Sequence, residues 1–286
     1  MKLIDSHIHF WDLSNKINGW VLRSNELQLQ RNYMPGDLKT VFNQDVYGVV
    51  HVEAHDSAVS TLAEIEWLSK VMQNIPEIKY SHIAFVDISA SYEQFVKDIE
   101  QIKKYKQVSG IRHILSYNPR LGYNPCSEDL SLNLNIERNL KHLSQNKLIF
   151  DCQAYPYQVK NLLPAILKSG VVCVIDHLIL PGWRDVNDID HQMWKTIILE
   201  LAKLDKVFIK ASGIDMFRKN EEFDLVMEYF FDKFPINRIM YGSNYPVSFN
   251  QEPNHWYEYL NQIKGLTPED KRQIFFDNAQ RMFFDK

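Results

Sequence analysis

The chain of 286 residues is long enough to bury a large core without disulfide or metal staples, and its 45% hydrophobic and 24% charged content is ordinary for a globular protein. A net charge of −4 and the lack of a long basic run argue against nucleic acid or an anionic membrane as partner. The three cysteines, Cys126, Cys152 and Cys173, are odd in number and widely spaced, which suits reduced thiols rather than a disulfide framework.

The first ten residues, MKLIDSHIHF, place Asp5, His7 and His9 where a signal peptide would need an unbroken apolar core. No apolar stretch reaches the length needed to span a bilayer. The expectation is a soluble, cytoplasmic protein with a small-molecule substrate. Neither nucleic acid nor membrane is expected as a partner, and a homo-oligomer is compatible with the sequence.

Short apolar runs then recur along the chain, each followed by a segment of helical period. The runs cover 3–9, 47–54, 80–87, 108–115, 148–153, 171–177, 207–212 and 238–244. Between them, 59–74, 92–104, 132–145, 156–168, 190–204 and 220–234 carry apolar positions at three- and four-residue spacing, the mark of amphipathic helices. Alternating strand and helix predicts parallel strands with helical crossovers. About eight such units over about 250 residues fit a single (β/α)8 TIM-like barrel over 1–286 better than an open sheet. No Gly-rich phosphate loop follows the first strand. Residues 10–45 and 116–131, where Pro, Asn and Gly cluster, are the expected excursions from the repeat.

Side chains two apart on a strand share a face, so His7 and His9 can present both imidazoles to one spot, and imidazole suits zinc-like divalent metals. The pair ends the first strand, at the face where barrel active sites gather. His177 closes the sixth run in VIDHLILPG and reads as a ligand or acid/base residue in that company. Asp176, one residue out of phase, is expected to face the helix layer and makes a poor site candidate. Arg112 suits an oxygen-rich or carboxylate-bearing substrate, because its planar fork binds oxygens bidentately. A structural ion pair is its competing reading. Lys210 ends the seventh run and can reach the same rim. Trp11, Trp20, Trp183 and Tyr245 can line a pocket for a ring-shaped ligand, although aromatic residues are usually core.

The segments LIDSHIHFWD, GIRHIL, FDCQAYP, VIDHLILP, KASGI, YGSNYPV and FDNAQRMFF follow one another in an order and spacing that resembles the lactonase-like branch of the amidohydrolase superfamily, the group of sugar-lactone and muconolactone-type lactonases. The resemblance runs nearly end to end. It implies a somewhat distorted (β/α)8 barrel and hydrolysis of a lactone ring, sometimes without a tightly held metal. Carried over residue by residue, it makes His7 and His9 the metal or substrate-polarising pair and His177 the histidine after the sixth strand. It also makes Arg112 a substrate anchor. Asn244 departs from the pattern, which more often has an aspartate there as general base and metal ligand.

An amide cannot take a proton from water, so Asn244 can orient a water or an oxyanion but cannot be the base. With three imidazoles and an amide, the charge of a divalent cation goes uncompensated, so a zinc-like metal is expected to be weakly held or absent. The base must then come from elsewhere. Strand phase nominates Glu53, flanked in phase by His51 and His55, and Asp151, in phase with Gln153. His177 could serve with an imidazole pKa near neutrality. The expected function is therefore attack of water on the carbonyl of a small lactone. The alternatives are a decarboxylase of the same superfamily and a catalytically degenerate barrel that binds a small acid or lactone without turning it over.

Overall fold

The computed structural model describes residues 1–56, 59–183, 185 and 187–285. Eight strands are laid down in chain order: β1 (Lys2–Ile8), β2 (Asp45–Val52), β3 (Lys79–Phe85), β4 (Val108–Ile114), β5 (Ile149–Gln153), β6 (Cys173–Ile175), β7 (Val207–Ala211) and β8 (Ile239–Tyr241). They form one eight-stranded sheet in the order β1 to β8, with helices between them, the topology of a (β/α)8 TIM barrel. Runs of Val, Ile and Phe such as Val49-Val50 in β2 and Ile149-Phe150 in β5 are buried, as strands covered on both faces require.

Six helices fall where the apolar spacing predicts them, Thr61–Met72, Tyr92–Ile102, Ile136–Gln145, Pro156–Ser169, Ile189–Leu201 and Phe223–Lys233, and a further ten-residue helix, Pro253–Gln262, lies outside the predicted segments. Their ends have local causes. Ser60 caps the first of them by accepting a hydrogen bond from the Leu62 amide. Pro156 opens the fourth at a position that needs no N–H, and Gly170 closes it in the left-handed conformation at φ 65°. The excursion at 10–45 is a series of short 3-10 turns and one four-residue helix, and 116–131 carries no helix or strand. The NAQRMFF segment forms the helix Asn278–Phe283.

The chain falls into two compact units. Unit 1 comprises Met1–Phe85, Ile102–Ser109 and Met240–Lys286, and unit 2 comprises Val86–Gln101 and Gly110–Ile239. In unit 1, β1 pairs in parallel with β2, with register shifts between Leu3 and Ile4 and between Asp5 and Ile8. β2 pairs with β3 so that His51 lies opposite His82. In unit 2, Arg112 lies opposite Asp151 across β4 and β5, and Asp151 lies opposite Val174 across β5 and β6. Among the described residues, no helix is long and apolar enough to cross a membrane.

Candidate functional site

In unit 1 the alternation of β1 puts Asp5, His7 and the following His9 in one phase, and all three are buried. The two imidazoles meet edge to face, with ring centroids 5.0 Å apart and Nε2 atoms 3.2 Å apart. His9 Nδ1 lies 2.8 Å from the Val52 carbonyl oxygen. A carbonyl only accepts, so Nδ1 carries the proton and His9 Nε2 presents a lone pair. Without a cation, His7 must then donate its Nε2–H to His9.

The Asp5 carboxylate secures the neighbouring chain. Its Oδ1 accepts from the amides of His7 and Ser243, each at 3.0 Å. The Asn244 amide nitrogen donates to the His7 carbonyl at 2.8 Å, and the Tyr245 carbonyl accepts from the His9 amide at 2.8 Å. Asn244 is therefore tied directly to the histidine strand. It adopts a left-handed φ of 53°, which Asn tolerates better than most residues, and its Nδ2 donates to Ser248 Oγ at 2.8 Å. A cis peptide joins Tyr245 to Pro246.

Glu53 sits just past β2, nearly buried, with its amide donating to the Ile83 carbonyl at 2.9 Å. Trp11 is fully buried, its indole N–H donating to the Arg31 carbonyl at 2.8 Å and its ring packed edge-on against Trp20 and Tyr33. Tyr245 packs edge-on against Tyr33 at 5.4 Å, and burial pushes its phenol above the ordinary range. Both aromatic residues are built into a packed cluster.

Unit 1 also holds a group the sequence reading passed over. His51, Glu64 and His82 are all buried, with His51 Nε2 3.3 Å and His82 Nε2 3.6 Å from the Glu64 carboxylate. Burial raises the Glu64 pKa, but the neighbouring imidazoles of His51 and His82 outweigh it and hold the carboxyl well below the usual range. Burial lowers the His82 pKa. The signal was present in the sequence. Glu64 falls on the buried face of the helix Thr61–Met72 with Ile65, Leu68 and Met72, where a carboxylate needs a partner.

In unit 2 the chemistry is ionic. Lys210, fully buried at the end of β7, lies between two buried carboxylates: Nζ is 2.5 Å from Asp151 Oδ2 and 3.0 Å from Asp176 Oδ1. Arg112 Nη1 lies 3.5 Å from Asp176 Oδ2 and donates to Gln153 Oε1 at 3.3 Å. Asp176 thus does not face the helix layer, as its strand phase predicts. β6 ends at Ile175, so the two-residue alternation stops before Asp176 and its carboxylate joins the cationic network. Burial and the neighbouring Asp176 charge raise the Asp151 pKa to about 8, against the opposing pull of Lys210. Asp151 Oδ1 is buried with no hydrogen-bond partner among the described residues.

His177 likewise lies beyond β6. It opens a run of four left-handed residues, His177 to Leu180, with φ between 46° and 64°. Its Nδ1 is 2.9 Å from Ser212 Oγ. Gly213 at φ 58° makes this arrangement possible, since a Cβ there would come within 2.5 Å of His177 Nδ1. The expectation of a near-neutral pKa for His177 is corrected. Burial, aided by the charges of Arg112 and Lys210, lowers it to about 4 despite Asp176.

Fit to a divalent metal can be judged from these atoms. Zinc bonds of about 2.0–2.1 Å at a tetrahedral angle place two ring nitrogens about 3.3 Å apart. The His7 and His9 Nε2 atoms stand at 3.2 Å, and the Val52 carbonyl holds His9 in the tautomer a metal requires. The pair fits. The His51, Glu64 and His82 group does not. His51 Nδ1 accepts the Phe10 amide at 3.2 Å, so its Nε2 carries the proton and has no lone pair for a metal.

Three comparisons place the chain among known proteins. An L-fucono-1,5-lactonase of Burkholderia ambifaria is 23% identical over 295 residues, covering 96% of this chain and 93% of that one. A crystal structure of an amidohydrolase from Burkholderia multivorans with bound zinc superposes with a TM-score of 0.77 at 19% identity, over 99% of each chain. A 2,6-dihydroxybenzoate decarboxylase in complex with 2,6-dihydroxybenzoate superposes with a TM-score of 0.70 at 9% identity, again over 99% of each chain. The amidohydrolase family model matches residues 4–284, and the chain therefore belongs to the amidohydrolase family of hydrolase-type enzymes, whose members usually bind metal.

Proposed function

We propose that the protein hydrolyses a small lactone of the sugar-acid or muconolactone type. The observation that carries this reading is the His7–His9 pair, two imidazole Nε2 atoms 3.2 Å apart with one tautomer fixed by a backbone carbonyl. The lactonase relative, which matches nearly the whole chain, supports the substrate class. In this reading His7 and His9 hold the electrophilic end of the site. A divalent ion bound there would supply Lewis-acid polarisation of the ring carbonyl. Asn244, tied to β1 through the His7 carbonyl, orients the attacking water with its side-chain amide.

The base is assigned by elimination. His177, lowered to about 4, is a weak base, and the Asp151 carboxylate is tied up in its contact with Lys210. Glu53, the remaining candidate, follows the Val52 whose carbonyl holds His9, and we assign it the water proton. Water adds to the carbonyl carbon, the ring C–O bond breaks, and the alkoxide leaving group takes a proton to give the hydroxy acid. An ester alkoxide leaves more readily than an amine, so positioning and oxyanion stabilisation worth a few kcal/mol each carry much of the step. Arg112 is assigned to the substrate's oxygens. His177 is assigned an orienting role as a neutral imidazole.

Assay of a panel of sugar-acid and muconate-type lactones with a pH indicator tests the reading. Acid release above the uncatalysed rate for at least one member is the expected result, and no release from any member contradicts it. A decarboxylase of the same superfamily is the second reading, prompted by the 2,6-dihydroxybenzoate decarboxylase whose fold matches nearly the whole chain. Release of CO2 from a panel of hydroxybenzoates, without lactone turnover, would select it.

A further inference from the structure

The histidine pair owes its orientation to groups behind it. His9 donates from Nδ1 to the carbonyl of Val52. One buried carboxylate grips residues on either side of Val52: Glu64 Oε1 accepts the Ala54 backbone amide at 2.8 Å and faces the His51 ring Nε2 at 3.3 Å. The other nitrogen of His51 accepts the amide of Phe10, the residue that follows His9. A closed circuit results, running from Glu64 to the end of β2, from Val52 to the His9 ring, and from His51 back to the chain beside His9. The His51 ring also stacks on Phe10, with centroids 5.8 Å apart and planes 8° apart.

Two features argue that this circuit serves orientation. A buried carboxylate is costly unless its oxygens are well paired, and Glu64 Oε1 takes both of its N–H donors from the segment that carries the His9 acceptor. The tautomer of His51 is also determined, because the Phe10 amide can only donate. His51 Nε2–H then points at Glu64, and the ring has no freedom to reverse without breaking two bonds. Such outer hydrogen bonds set the tautomer and angle of an imidazole that does chemistry.

We propose that Glu64 and His51 are positioning residues that hold the Val52 carbonyl and the Phe10 amide so that His9 keeps its Nδ1–H tautomer and aims its Nε2 lone pair at His7. The proposal rests on the functional reading of the His7–His9 pair for its purpose, but its geometry is tested without turnover.

The test is a long-range 1H–15N spectrum of the histidine rings of the full-length protein, with the His9 signals identified by their loss in His9→Gln. The wild type should show His9 protonated at Nδ1 alone. Glu64→Ala should lose that pattern to the Nε2–H form or an average of the two. Glu64→Gln should keep it, because its side-chain oxygen still accepts from Ala54 and His51. Should Glu64→Ala fail to fold, His51→Phe carries the test: it keeps the ring stacked on Phe10, removes both polar links, and should likewise lose the pattern. A wild-type His9 protonated at Nε2, folded variants in which His9 is unchanged, or a Glu64→Gln protein that behaves like Glu64→Ala would overturn the proposal. Lactone turnover by the wild type is a separate arm, whose failure ends the hydrolase reading and leaves the tautomer result standing.

Discussion

The two units hold their buried polar groups by different means. In unit 1, imidazoles are aimed by a backbone carbonyl and a backbone amide, Val52 for His9 and Phe10 for His51, and the Asn244 backbone N–H is tied to the His7 carbonyl. In unit 2, charges are balanced against one another: Lys210 stands between Asp151 and Asp176, with Arg112 beside the latter. Directional hydrogen bonds fix an angle and a tautomer. An ion network fixes charge and depends on every member being present. Removing one partner should therefore act mainly on geometry in unit 1 and mainly on stability in unit 2.

The largest effect expected from this contrast comes from Lys210→Met. It leaves two buried carboxylates without their shared ammonium, and urea denaturation should show a loss of about 3–5 kcal/mol. A double variant that also carries Asp151→Asn should recover part of that loss. A Lys210→Met protein as stable as the wild type would remove the distinction between the units.

Next in size is a pH dependence. Unfolded His177 takes up a proton below an ordinary value near 6.5, whereas the folded residue resists until about 4. Its contribution is thus full above 6.5 and is lost as the pH falls from 6.5 to 4, worth about 3 kcal/mol. The urea-derived stability of His177→Gln should fall less steeply than that of the wild type across this window. Parallel curves would show that His177 is not held neutral.

Gly213→Ala should cost about 1–3 kcal/mol, because a Cβ meets the His177 ring and the backbone is left-handed. A crystal structure of the variant should show the His177 ring displaced from Ser212. The smallest effect belongs to unit 1. Ser248→Ala removes the partner of Asn244 Nδ2 and should cost about 1 kcal/mol by thermal or urea unfolding. It should lower turnover by more than that change in stability suggests, since the amide loses its aim. Equal losses in the two measurements would make Ser248 merely structural.

Much of the fold was legible because its signals are periodic. Apolar runs and helical spacing locate all eight strands and six of the longer helices to within a few residues, while the helix Pro253–Gln262 escapes them. The His7–His9 pair was legible for the same reason, since alternation on a strand survives without tertiary information. Asp176 was not, because the reading carried strand phase past Ile175, where the strand has already ended and a left-handed turn begins. The pKa of His177 was not legible either, for it depends on burial and on Arg112 and Lys210, which lie far away in sequence. Glu64 left a trace as a charged residue on an apolar helix face, but its partners His51 and His82 come from two other elements.

Steady-state hydrolysis of a turned-over lactone by wild type and His9→Asn tests the central claim most directly. The account predicts a fall in kcat of about 100-fold or more, in the range seen when one positioned electrophilic group is removed, with folding unchanged by circular dichroism. A His9→Asn enzyme that hydrolyses the lactone at the wild-type rate would contradict it.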